Sequence, residues 1–254
     1  MGASDNNNGI IKRVYQNLQQ MGWFDTCIYA FNKFLVFVSN GKLTCYRYFL
    51  VAQPVATVPL VPPRRGKKIE IRLLHKQEKI VQQFPRPAAV IKARFEQGAM
   101  CLVAIKEEQF IGFLWLLLNN GYQEDEVRAR FVPCPANQAA WDFDVYVVPD
   151  FRIGLTFPSL WDKANEILRE NGIMWSCSRI SAFNVGSLES HAALGALVMS
   201  SAFFVCGGKW QVTLATISPY LHLSLNSSSY PKFSLNTNKL ENISSVYQDK
   251  TIVE

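Results

Sequence analysis

One stretch constrains the fold of this 254-residue chain more than any other: Gln109 to Leu118, in which every residue from Phe110 onward is apolar or glycine. So short a run, entered through the charged turn Lys106-Glu107-Glu108, reads as a strand. A strand with no polar face has to be covered on both sides, so it belongs inside a sheet layered with helices. Met100 to Ile105 forms the other arm of an antiparallel hairpin, and Ile69 to Leu74 alternates apolar and charged residues as a half-buried strand does.

The pattern continues downstream. Trp141 to Val148 reads as a strand ended by Pro149. Thr156 to Asn171 reads as a helix capped by Thr156, with Pro158 in its first turn and Gly172 at its end. Its apolar stripe is Leu160, Trp161, Ala164, Ile167 and Leu168. Ile173 to Phe183 is the next strand, Ser187 to Leu194 a short helix, and Leu197 to Phe204 with Lys209 to Ala215 a closing strand pair. Gln77 to Phe95 is helical on either side of Pro85 and Pro87. Alternating strands and helices give an α/β class.

The ends differ in composition. Ile10 to Phe24 suits a helix ending near Gly22, and Cys27 to Val38 with Leu43 to Val51 reads as a hairpin turning at Ser39-Asn40-Gly41. Pro54, Pro59, Pro62 and Pro63 mark a connector with a boundary near residue 66. From Ile217 the chain turns to Ser, Asn, Lys and Tyr, which suits a loosely docked polar tail. The expected division is therefore an extension over 1–66, a domain over 67–216 and a tail over 217–254.

Charge and cysteine usage narrow the functional classes. The net charge is +6, with one dense basic cluster at Arg64, Arg65, Lys67 and Lys68 around Gly66. It suits a solvated linker, or a footprint for an acidic partner such as a nucleotide, a carrier protein or a membrane surface. Aromatic residues do not interleave with it, which argues against nucleic acid. The six cysteines show no CxxC pair and the three histidines are scattered, so no metal is expected. The start carries no signal-peptide core, and no apolar run reaches the roughly 18 residues of a spanning helix. A reducing cytoplasm is the expected location.

Chemistry concentrates between Trp141 and Gly195. A strand feeding a turn and then a helix aims the unpaired amides of the helix start beyond the strand end, a natural place for phosphate. Here the turn is Asp150-Phe151-Arg152-Ile153-Gly154-Leu155-Thr156; a plain strand-to-helix connection is the alternative. Cys177 with His191 suggests a thiol nucleophile, although a mid-strand cysteine more often fills a core. Ser178, Arg179 and Ser181 could line a pocket or simply face outward.

Val147-Val148-Pro149-Asp150-Phe151-Arg152, followed by Asn184, Ser187, His191, Leu194 and Gly195 at their spacing, resembles the GNAT acyltransferase superfamily, whose members carry a Val-x-Pro-x-x-Arg run, a phosphate turn and a long helix. The resemblance covers about residues 67–216. Of the family's turn glycines only Gly154 is present, and its usual tyrosine is His191. The resemblance implies a mixed, mainly antiparallel central sheet flanked by helices. It also implies acetyl-CoA or another acyl-CoA as cosubstrate and transfer to an amine or hydroxyl of a small molecule. Val147, Val148, Arg152, Ile153, Gly154, Leu155, Thr156, Phe157, Asn184 and Ser187 would then hold the donor. Asp142 and Asp144 share a face by the two-residue period, and Asp144 is the candidate base. The alternative is an aspartate salt-bridged to Arg179. His191 is the candidate acid, or else an exposed helix residue. Two other functions stay open: N-acyl amino acid synthesis from long-chain acyl-CoA or acyl-carrier protein, and a non-catalytic CoA-binding module.

Overall fold

The computed structural model describes residues 3–62, 65, 68–76, 78–118, 121–124 and 126–240, with side chains from residue 18 onward. Arg64, Gly66 and Lys67 of the basic cluster, and the tail beyond residue 240, lie outside the described residues. In chain order the elements are α1 (Ala3–Val38), β1 (Leu43–Pro54), β2 (Glu70–Leu73), α2 (Ala88–Glu96), β3 (Met100–Lys106), β4 (Gln109–Leu117), β5 (Tyr122–Gln123) and β6 (Arg130–Cys134). They continue as β7 (Ala139–Val147), α3 (Thr156–Glu170), β8 (Trp175–Ser181), α4 (Val185–Ala193), β9 (Leu197–Gly207), β10 (Trp210–Ala215), β11 (Leu221–Ser224) and β12 (Lys232–Asn236). No helix among the described residues is long and apolar enough to cross a membrane.

Two compact units share the chain, one built from Met1–Val51, Glu126–Ala129 and Arg179–Pro231, the other from Ala52–Asp125, Arg130–Ser178 and Lys232–Glu254. Strands β1 and β8 each begin in one unit and end in the other.

In the second unit the strand order is β8-β7-β4-β3-β2, antiparallel throughout except for the β7–β8 pair. β4 is central, and Phe110 to Leu117 are all buried, as their lack of a polar face requires. Gly112 is the one residue of that run without a side chain: a Cβ there would lie 2.7 Å from the Tyr146 carbonyl oxygen and 3.5 Å from Leu160 and Thr156. α3 lays Leu160, Trp161, Ala164 and Leu168 against the core. A small sheet, β12-β6-β5, adds Phe233 and Phe131, whose rings stack 5.6 Å apart, with Phe131 in turn 5.0 Å from Trp141. The result is the mixed, mostly antiparallel sheet flanked by helices expected for the class.

The chain departs from expectation toward both of its ends. Cys27 to Val38 is not a strand but the end of α1, which breaks helical geometry only at Gly22 (φ 75°, ψ 170°). The Asn-Gly signal is real but serves another purpose. Asn40 and Gly41 take positive φ to close the helix, and the Gly41 amide donates to the Val36 carbonyl at 2.8 Å. The same dipeptide suits a hairpin turn or a helix C-terminus, and packing decides between them. Beyond residue 217, where a loose tail is expected, β11 joins β10 antiparallel and β12 joins β6 parallel. Phe233 and Leu235 are buried. Two apolar residues in alternation suffice for a strand once a partner edge is present.

Candidate functional site

β7 carries the residues of interest, and its register is irregular. Asp144 stands opposite Trp115 and Asp142 opposite Leu116, so Phe143 is an extra residue on this strand. Paired residues project from the same side of a ladder and neighbours on a strand from opposite sides. Asp142 and Asp144 therefore face opposite sides of the sheet, and the shared face expected from simple alternation is lost to this bulge.

On its own side Asp144 accepts from Arg86 through Nε and Nη2, both at 2.7 Å, and from Arg94 Nη1 at 2.6 Å. The guanidinium of Arg86 also lies over Phe113 and Tyr146, and that of Arg94 over Trp115 and Phe143. The salt-bridged aspartate is thus present with partners other than the one expected. Arg179 instead pairs with Glu126 at 3.2 Å and lies 4.4 Å from the Tyr48 ring centroid.

Asp142 is buried on the other face, where Ser176 Oγ donates to it at 2.7 Å. Burial pushes its carboxyl up to about 7, and the serine hydrogen bond offsets only part of that. Neighbouring Cys177 is also fully buried, and burial drives its thiol well above the ordinary range, so it is no nucleophile.

The parallel pairing of β7 with β8 runs from Ala139–Trp175 to Trp141–Cys177 and extends no further among the described residues. Past that point β7 keeps its ladder to β4 as far as Val147. A short 3₁₀ turn over Pro149–Phe151 follows, anchored where the Val148 amide donates to Ile111 at 2.9 Å. Arg152 folds back, its Nε donating to the Val147 carbonyl at 3.1 Å, and Ile153 is fully exposed. At Gly154 an added Cβ would find nothing nearer than Phe151 O at 3.9 Å. Thr156 does not cap α3 as expected: it is the first helical residue, is buried, and its methyl lies beside Gly112. The N-cap is Leu155, which makes no side-chain hydrogen bond to the helix start.

The remaining candidates lie in the other unit. Asn184 caps α4, its Oδ1 accepting from the Ser187 amide at 3.2 Å, so these two residues serve each other. His191 is buried rather than exposed, and burial lowers its pKa to about 4. It is a neutral imidazole near neutral pH and has no spare proton to give as an imidazolium. Among the described residues no cluster of His, Cys, Asp or Glu could hold a metal ion. Arg86 and Arg94 had no local signal: their common partner stands 58 and 50 residues away in the chain.

No family model matches the chain, and no curated protein matches it. Solved structures similar to it include a functionally unknown conserved protein from Staphylococcus epidermidis, at 9% identity over 68% of this chain and 66% of that one, with a TM-score of 0.46. A tandem GNAT protein from the clavulanic acid biosynthesis pathway is similar at 14% identity over 68% and 57%, with a TM-score of 0.45. An aminoglycoside N-acetyltransferase in complex with CoA is similar at 20% identity over 53% and 91%, with a TM-score of 0.37. The chain spans less than two thirds of the length of the first two.

Proposed function

We propose that residues 67–216 carry an acyltransferase of GNAT type, which moves an acetyl or other acyl group from acyl-CoA to an amine or hydroxyl of a small molecule. The observation that carries this reading is the end of β7–β8 pairing at Trp141–Cys177, with a turn and a helix start at the far end of the same strand. Acyl-CoA would supply the activated acyl group. The Ile153, Gly154, Leu155 and Thr156 amides would receive its diphosphate, with Arg152 and Phe157 beside them. The main chain of Val147 and Val148 would line its arm. The open space around Gly154 leaves room for such a group.

Transfer needs the acceptor to lose a proton before it attacks the thioester carbonyl. Asp144 is the proposed proton-transfer residue of the second unit, and His191, in the first unit, is a candidate on the resemblance alone. Asp144 is held by the guanidinium groups of Arg86 and Arg94, and His191 is a neutral imidazole near neutral pH. Asn184, which caps the α4 start, and Ser187, whose amide it accepts from, are donor-site candidates on the resemblance alone.

The test is calorimetric titration with acetyl-, octanoyl- and palmitoyl-CoA, followed by thiol release with a panel of amine and hydroxyl acceptors. Gly154→Glu sets a carboxylate at the turn without a steric clash, and a drop of tenfold or more in donor affinity is expected. Absence of heat from every donor, carrier-linked ones included, sinks the proposal. A strong preference for palmitoyl would favour N-acyl amino acid synthesis, and binding without turnover a non-catalytic module.

A further inference from the structure

Two elements of the first unit leave apolar faces in solvent. Among the exposed residues of α1, Trp23, Cys27, Phe31, Phe34 and Phe37 are spaced four, four, three and three apart and form a single helical stripe, with Phe24, Lys33 and Val38 also exposed. Trp23 is 71% exposed, Phe34 60% and Phe37 85%. The opposite side of the helix is mixed, with half-buried Ile28, Tyr29, Leu35 and Val36 among its polar residues. There Asp25 pairs with Arg47, Asn32 accepts from the Cys45 amide at 2.9 Å, and Thr26 is buried. A helix that has finished packing leaves no aromatic stripe of this kind in solvent.

The sheet β1-β9-β10-β11 also leaves an apolar face in solvent. Gln211, Thr213 and Ser224 are buried on one face, and Gln211 is fully engaged, donating to Arg128 O at 2.8 Å and to Thr213 Oγ1 at 3.1 Å. Leu214, Leu221 and Leu223 occupy the other face and are each about half exposed or more. Leu214 stands opposite Phe203 and Leu221, and Val212 opposite Val205 and Leu223, which makes a continuous apolar floor across three strands. Tyr48 meets Phe204 on the polar side, so alternation sets Phe203 and Val205 on the side where Arg47 meets α1. The helix layer thus covers β1 and leaves the floor of β9–β11 open beside it.

We propose that this floor is covered by α1 of a second copy of the chain, in a two-fold dimer where each helix stripe lies on the other copy's sheet. The two faces answer each other, helix to sheet, and a two-fold axis uses both twice. The area suffices. At about 150–250 Å² per ring, the three most exposed rings alone offer roughly 300–550 Å². The largest patch on an ordinary monomer is about 300–600 Å² in all. The leucines carry the total toward the about 800 Å² per partner of a standard interface. Aromatic and aliphatic residues with few charges are the composition of such a core.

Sedimentation equilibrium on the full chain is expected to give twice the 28.8 kDa chain mass at micromolar concentration. Phe34→Lys and Leu221→Glu both alter exposed side chains, so each variant should fold, which circular dichroism and a melt will verify. Each alone should weaken the dimer at least tenfold. Mixed in equal amounts they should associate again, because one helix-on-sheet contact is then unaltered and the other sets lysine against glutamate. A wild-type monomer throughout the range overturns the proposal, and so does a dimer indifferent to either substitution or a mixture that stays monomeric. A monomer that floats with phosphatidylserine vesicles overturns it in favour of a lipid surface.

Discussion

Two buried titratable residues give the protein opposing responses to pH. Asp142 holds its proton to about pH 7 in the folded state, whereas an unfolded aspartate releases it near 3.8. Between those values the native state binds more protons than the unfolded one, so stability falls as pH rises, by a total on the order of 4 kcal/mol. His191 works the other way. Folded, it stays neutral down to about pH 4, while the unfolded side chain takes a proton near 6.5. Stability is therefore lost as pH falls through that window, by about 3 kcal/mol. The two slopes oppose each other across most of the acid range. Urea unfolding from pH 4 to 8 should show Asp142→Asn gaining stability relative to the parent as pH rises, because an amide has no proton to keep. His191→Gln should gain relative to the parent as pH falls. A variant whose slope matches the parent's contradicts the burial argument for that residue.

At the level of elements, what could be read in advance depended on whether a pattern had a single physical meaning. β4 was legible because an all-apolar strand has only one place to go, and α3 because its stripe and flanking charges admit no other period. α1 was not. Its aromatic and β-branched residues have strand composition, and a solvent-facing apolar stripe removes the contrast by which a surface helix is recognised. The extra residue at Phe143 has neither glycine nor proline to announce it, so the facing of Asp142 and Asp144 could not be read from spacing. The phosphate turn was legible as a turn, yet the burial of Thr156 follows from its neighbour Gly112, which only the assembled sheet reveals. That glycine supports a prediction. In Gly112→Ala the new methyl meets the Tyr146 carbonyl, which belongs to the facing strand and cannot swing aside. The strain should cost about 1–3 kcal/mol. It should also displace the first turn of α3, which packs at the same point. Differential scanning calorimetry should show the loss, and acyl-CoA titration a weaker donor. A melt unchanged from the parent's would mean that β4 and β7 are less closely fitted than this contact requires.

For the molecule as a whole, the decisive fact is that three separate chain segments build each unit, so neither unit exists as a continuous piece. Glu126–Ala129 joins the first unit through Gln211, whose side chain both accepts from the Arg128 amide and donates to the Arg128 carbonyl. The second unit is closed by a strand that arrives about a hundred residues after its partner, since β12 pairs in parallel with β6. Its contribution is more than an edge. Phe233 is fully buried against Phe131, which stacks on Trp141 beside the last paired position of β7 and β8. Removing that ring empties a site with rigid aromatic walls, which cannot collapse to refill it, so Phe233→Ala should cost about 3–5 kcal/mol. Leu225→Ala serves as the control: the side chain is largely exposed, and its loss should change stability by no more than about 0.5 kcal/mol. The comparison is made in urea, where Phe233→Ala should lower the midpoint without changing the slope of the transition. Equal midpoints for the two variants would show that residues 232–236 lie on the core without forming part of it.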